Sequence, residues 1–168
     1  MLTSESVTEG HPDKLCDQIS DAIVDHFLKQ DPRAQVRAEC AVSSAIIFIA
    51  ARFASDAKVD FAHVARKVIK RIGYDQPDFN AQICSILSAP QALPIDKSGQ
   101  FDEEKLTEAQ IKRIAAKNQV TLFGFACDQT PALMPFPIWF AHQLARQLSA
   151  VRRDKTLAYL MPDGKVQL

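Results

Sequence analysis

The sequence lacks an excess of charge of either sign. Twenty Lys and Arg residues balance twenty Asp and Glu residues, so nothing electrostatic favours a nucleic acid or an anionic membrane as partner. The longest uncharged apolar run covers 41–51, which is too short to span a bilayer. No charged-then-apolar leader with a cleavage site precedes the first motif, and we therefore expect a cytoplasmic protein.

Closely spaced cysteines are missing as well. Cys16, Cys40, Cys84 and Cys127 are far apart, form no CxxC pair and stand among apolar neighbours. This pattern favours buried, reduced thiols over a disulfide framework or a zinc site. With 168 residues, 47% of them hydrophobic, the chain can bury one core of normal size or two small ones.

What the chain does have is a dense polar run before its first helical pattern. His11, Asp13 and Lys14 follow Gly10, and Pro12 suits the first position of a helix. A helix N-terminus attracts anions, His and Lys donate hydrogen bonds, and a carboxylate can hold a divalent metal on the anion. The run therefore predicts a metal–polyphosphate site. Ordinary helix capping is the competing interpretation.

Hydrophobic periodicity predicts alternating helices and strands. We expect a helix over 12–29, one long strand over 35–53, a helix capped by Asp60 and stopped by Gly73, and a strand over 82–87. Beyond a loop at 90–100, we expect a helix over 102–117, a strand over 120–127, a helix over 138–151 and an extended piece at 157–160. Strands mixed with covering helices imply an α+β fold.

The run SESVTEGHPDKLCDQISDAIVD (4–25) closely resembles the N-terminal signature of methionine adenosyltransferases, the S-adenosylmethionine synthetases. Further segments match in the same order: DPRAQVRAE (31–39), RKVIKRIGY (66–74), CSILSA (84–89), FGFA (123–126), LMPFPIWFAHQLA (133–145) and MPDGK (161–165). The resemblance implies similar α+β domains, with mixed or antiparallel sheets covered by helices on one face and packed flat on each other. It also implies a dimer or tetramer. It suggests an N-terminal domain over 1–100, a linker helix over 101–118 and the start of a central domain over 119–168.

The reaction implied by the resemblance is attack of the methionine sulfur on C5′ of ATP, followed by hydrolysis of the expelled triphosphate. A thioether has no proton to lose, so the protein must align the reactants and stabilise charge on the leaving triphosphate. His11 matches the family histidine that donates to that triphosphate, and Asp13 matches a Mg²⁺ ligand. Lys14 continues the motif, but it is equally compatible with a solvated first-turn lysine.

Other positions match the family more weakly. Glu39 matches the glutamate of the family potassium site, although it could equally be an edge residue facing water. Asp163 and Lys165 match a ribose-binding aspartate and a phosphate-binding lysine, although PDGK alone is an ordinary turn. Asn118 stands where the family has the aspartate of a Gly-Asp-Gln-Gly loop, and it is an expected cofactor-binding residue. The expected cofactors are therefore Mg²⁺ and K⁺.

Three departures fall on the methionine side. Arg52 replaces a glutamate that contacts the methionine amino group, and the alignment slips where a glutamine is expected, near Gln91 or Ala92. In the Gly-Asp-Gln-Gly loop, Asn118 replaces the aspartate and Val120 the last glycine. One interpretation is a divergent enzyme in which Asp75, Asp78 or Asp128 supplies a replacement carboxylate. Another is a non-catalytic or one-sided subunit that binds ATP and Mg²⁺ and needs a complementary chain. A phosphate-binding module with another role is the third.

Overall fold

The computed structural model describes residues 3–95, 105–114 and 119–168. The described elements, in chain order, are β1 (Glu5–Val7), α1 (Pro12–Gln30), β2 (Gln35–Ser43), β3 (Ile46–Ala54), α2 (Phe61–Ile72), β4 (Ser85–Ala92), α3 (Glu108–Ile111), α4 (Phe136–Arg153) and β5 (Lys165–Gln167). Strands and helices are mixed, so the predicted α+β fold is confirmed.

A three-stranded mixed sheet in the order β2-β3-β4 supports most of the core. β2 and β3 are antiparallel, and β3 and β4 are parallel, joined through α2. Helices α1 and α2 bury their apolar stripes in one cluster with the inward residues of β3. The α1 stripe is the predicted one: Leu15, Ile19, Ile23 and Phe27.

Helix ends follow the sequence closely. The Asp60 side chain accepts a hydrogen bond from the His63 N–H at 2.9 Å, and Gly73 ends α2 with φ at +99°. Because glycine has no Cβ, it adopts this left-handed conformation without steric cost. The predicted starts and stops of α1 and α2 are confirmed to within a residue, and α4 extends the predicted 138–151 helix at both ends.

The prediction of one strand over 35–53 is wrong, because the chain turns back at Ser44 and Ala45 into an antiparallel hairpin. A single strand of that length would extend roughly 60 Å, well beyond ordinary strands. Ser44 has φ at +51°. Serine and alanine are weak signals for a two-residue hairpin turn, which normally contains glycine or asparagine.

Three other segments, 82–87, 157–160 and 120–127, also differ from the predicted strands or extended pieces. The strand expected at 82–87 begins later, at Ser85, because the Asn80 side chain binds the N–H groups of Gln82 and Ile83 in a turn. The 157–160 segment is a turn instead of an extended piece. No strand forms at 120–127, since the described residues offer it no partner to pair with.

The linker region is only partly described. Within the predicted 102–117 helix, the structure describes a short helix, Glu108–Ile111, capped by Thr107; positions 102–104 and 115–117 lie outside the described residues. The domain boundaries stay a prediction. The four cysteines are free thiols, with Cys16 and Cys84 buried and the other two half-buried.

Candidate functional site

The two ends of the chain meet in a small antiparallel sheet. β1 pairs with β5 in a register that sets Val7 opposite Lys165. Beyond the ladder, the Thr8 N–H donates to the Gly164 carbonyl at 2.9 Å, and the Thr8 hydroxyl donates to the Pro162 carbonyl at 2.7 Å. Because Thr8 is buried, these bonds fix the two segments together without competition from water. The first polar run and the PDGK turn are therefore one structural unit.

Gly10 makes this contact possible. A Cβ built at Gly10 would overlap the backbone carbonyl of Pro162, so no other residue fits here without a shift of the main chain. The Tyr74 hydroxyl donates to the Gly10 carbonyl from the other side. The loop that leads into α1 is thus held between Pro162 and Tyr74.

His11 is the N-cap of α1. Its Nδ1 accepts a hydrogen bond from the Asp13 N–H at 3.3 Å. A neutral imidazole that accepts at Nδ1 carries its proton on Nε2, which leaves Nε2–H available as a donor. The side chain is 25% exposed, so an incoming ligand can reach it. Capping and ligand donation are therefore compatible at this residue.

An open cleft of about 430 Å³ lies beside this loop. Its lining includes Pro12 from the start of α1, Tyr74, Asp78, and Met161 and Asp163 from the PDGK turn. Burial, followed by the nearby Asp163 carboxylate, raises the pKa of Tyr74, while Arg152 opposes this shift. Tyr74 therefore stays a neutral donor and acceptor at the edge of the cleft.

Two further charged groups of the predicted site, Asp13 on α1 and Lys165 on β5, are not among the residues that line the cleft. The Asp13 side chain is 91% exposed, and its Oδ2 lies 3.9 Å from His11 Nδ1. The Lys165 ammonium is bound to the Glu5 carboxylate, and both side chains are about half-exposed. An exposed pair of this kind is weak, so Lys165 can exchange Glu5 for another anion at little cost.

Sequence reasoning missed the network that anchors the loop to α4. The Glu9 carboxylate binds Arg152 at 2.6 Å, Arg153 at 2.9 Å and the Ser149 hydroxyl. Burial opposes ionisation, but the hydrogen bonds from Ser149, from the Glu9 backbone and from both arginines lower the Glu9 pKa to about 2. Sequence gave only a weak hint of this network, the Arg152-Arg153 pair at the end of a helix.

Comparison with known protein families identifies both halves of the chain. The model of the S-adenosylmethionine synthetase N-terminal domain matches residues 1–93, and that of the central domain matches residues 113–168. The chain belongs to the S-adenosylmethionine synthetase family. Two similar relatives, the S-adenosylmethionine synthases of Prochlorococcus marinus strains MIT 9313 and MIT 9303, are each 46% identical over 172 aligned positions. The match covers the whole of this chain and 41% of each relative.

The predicted site residues do not all lie at the cleft. Glu39 and Arg52 lie on the open face of the three-stranded sheet, in a depression that shares no lining residue with the cleft. Asn118 lies outside the described residues, and the side chain of Val120 is 78% exposed. Of the possible replacement carboxylates, Asp78 lines the cleft.

The described residues contain no group of three or more His, Cys, Asp or Glu side chains that could hold a metal ion by themselves. Asp13 nevertheless fits a Mg²⁺ ion, because this ion is usually held by one or two carboxylates together with substrate phosphates. Among the described helices, none is long and apolar enough to cross a membrane.

Proposed function

We propose that this chain takes part in the formation of S-adenosylmethionine from ATP and L-methionine, with release of phosphate and diphosphate. The observation that carries the proposal is the pairing of β1 with β5, which brings the His11 loop and the Asp163 turn to one cleft. His11 and Asp163 are 152 positions apart in sequence. A nucleotide site that uses both residues requires the fold to bring their segments together.

Each predicted side chain on the two paired segments has a task in such a reaction. The His11 Nε2–H donates to the triphosphate as the C5′–O bond breaks and negative charge accumulates. The free N–H groups at the start of α1 add positive potential, and Lys165 adds a mobile positive charge. Asp163 accepts hydrogen bonds from the ribose hydroxyls. No general base is needed for the first step, since the attacking sulfur has no proton.

Asp13 is the residue that would hold Mg²⁺. The ion, when bound, neutralises phosphate charge and assists triphosphate hydrolysis.

The methionine side of the site requires a second surface. Arg52 and Glu39 stand on the open sheet face, apart from the cleft. We therefore propose a dimer or larger assembly, in which a sheet face of one subunit completes the cleft of another. A one-sided subunit that binds ATP and Mg²⁺ is the second candidate, favoured because the depression lined by Glu39 and Arg52 shares no residue with the cleft.

The test measures two quantities on the same protein. S-adenosylmethionine formation is followed by mass spectrometry with ATP, Mg²⁺ and methionine, and ATP binding is followed by calorimetry with a non-hydrolysable analogue. His11→Ala should lower product formation by a factor of about 100 or more, the range for loss of one charge-stabilising donor. His63→Ala is the matched control, because His63 is exposed on α2, away from the cleft.

The outcomes separate the candidates. Product that is lost in His11→Ala and kept in His63→Ala supports the enzyme. ATP binding without product supports the one-sided subunit. If the protein neither binds the analogue nor forms product, both candidates are wrong.

A further inference from the structure

Two arginines surround Glu39 on the sheet face that the helices leave uncovered. Arg37 donates to Glu39 Oε1 twice, from Nη2 at 2.7 Å and from Nε at 3.0 Å. Arg37 is also paired directly across the β2–β3 ladder with Arg52. Like charges directly opposite each other in a sheet repel, and the carboxylate of Glu39 on the same face relieves this repulsion.

These neighbours do not fit a potassium site. Among the residues that the structure describes, the depression at this position is lined by Arg37, Glu39, Ala50 and Arg52, and Glu39 supplies their only side-chain oxygens. That carboxylate already accepts two hydrogen bonds from a guanidinium. The three charged groups sum to one net positive charge, which repels a further cation. A hard cation requires several oxygen ligands, and here it would meet one ligand and two positive groups.

We propose that the Arg37 guanidinium takes the place at Glu39 that a monovalent cation was expected to occupy, with Arg52 opposing entry of a free ion, so that this protein needs no potassium. The inference rests on the proposed function, since it concerns a cation requirement of that reaction. Arginine is suited to the role because its charge is permanent, and two of its donors, Nε and Nη2, both reach Oε1 of Glu39. The charge is tethered to β2 and is therefore present at any salt composition.

Exposure sets the strength of this arrangement. The Arg37 and Glu39 side chains are 79% and 64% exposed, so their pairing adds little to stability. Discrimination against a cation does not depend on that stability, because it follows from the net charge around Glu39. Covering this face by another subunit would remove water and strengthen the same discrimination.

The test compares thermal unfolding in potassium chloride and in choline chloride at equal ionic strength. The wild-type protein should have the same Tm in both salts. A variant with Arg37→Ala and Arg52→Glu reverses the local charge, and its Tm should be higher in potassium chloride by about 2 °C through ligand-linked stabilisation. The matched control carries Lys67→Ala and Arg71→Glu, which change the net charge equally on exposed positions of α2, the helix layer beneath the sheet. It should show no difference between salts.

Two results would overturn the proposal. One is a wild-type Tm that rises in potassium chloride and loses this response in Glu39→Gln. The other is a charge-reversed variant that responds no more than its control, since the arginines would then not be what excludes potassium. Binding of thallous ion, a potassium surrogate observable by NMR, repeats the wild-type comparison without any variant. These measurements need neither product nor ATP binding, so failure of the proposed function would appear separately.

Discussion

At the scale of single residues, Gly10 is the described glycine at which another backbone segment comes closest. Gly10→Ala should lower the free energy of unfolding by about 1–3 kcal/mol, because the new Cβ meets the Pro162 carbonyl and neither backbone can move freely. It should also weaken binding of an ATP analogue, since the loop and the PDGK turn would separate. Urea unfolding and calorimetry measure the two effects.

Gly124→Ala is the control for this substitution, because a Cβ at Gly124 meets nothing within 4 Å. Equal stability losses in the two variants would show that Gly10 is not a packing constraint. Unchanged analogue binding in Gly10→Ala would show that the contact with Pro162 does not support the cleft.

Sequence predicted some individual residues of the cleft and missed others for a physical reason. His11 and Asp163 stand in compact motifs, so their chemistry is visible in a few adjacent letters. Tyr74 acts through a hydrogen bond to Gly10, 64 positions away, and Arg37 through a partner on its own strand face. Such roles arise from folding, and nothing in the local sequence distinguishes these side chains from ordinary ones.

At the scale of elements, the attachment of α4 to the N-terminal loop depends on the ionised Glu9. The Glu9 pKa is lowered from 4.5 to about 2 in the folded protein, so the folded state binds fewer protons. Its stabilising effect is fully present above pH 4.5 and is lost as pH falls toward 2. Glu9→Gln should therefore flatten this part of the stability profile.

Urea unfolding across that pH range measures the slope. At neutral pH, Glu9→Gln should also cost roughly 1–3 kcal/mol, because Arg152 is mostly buried and loses its charged partner. Asp25→Asn on the exposed side of α1 is the control and should leave the slope unchanged. A wild-type profile with no loss of stability between pH 4.5 and 2 would contradict the role of Glu9.

Helices were predictable at this scale because their signals are local. A stripe at helical spacing, Asp60 at the start and Gly73 at the end define α2 without reference to the rest of the fold. Strands depend on partners that local sequence does not identify. The predictions of a single strand over 35–53 and of a strand over 120–127 were wrong for this reason.

At the scale of the whole molecule, the three-stranded sheet has one covered face and one open face. The open face is apolar near the hairpin, where Ala41, Phe48 and Leu87 form one cross-strand row, and charged further along, at Arg37, Glu39 and Arg52. Phe48 and Leu87 are 46% and 53% exposed. Sequence predicted the α+β layering, because apolar strand runs are mixed with helices whose apolar stripes must be covered. The division of the open face into an apolar end and a charged end depends on the β2–β3 register, which the sequence did not reveal.

An apolar row of this kind on a sheet face favours association with a second surface. We expect the chain to self-associate through it, and Phe48→Glu should weaken that association about tenfold or more by placing a charge at a desolvated position. Sedimentation velocity over a concentration series measures the effect.

Leu28→Glu is the matched control, because Leu28 is 41% exposed on α1, on the helix side of the sheet. A monomer at all concentrations, or equal weakening by both substitutions, would contradict assembly through this face. Loss of association in Phe48→Glu alone would identify the open face as the contact, and the charged end beside it would then be enclosed between subunits, where the proposed methionine side must lie.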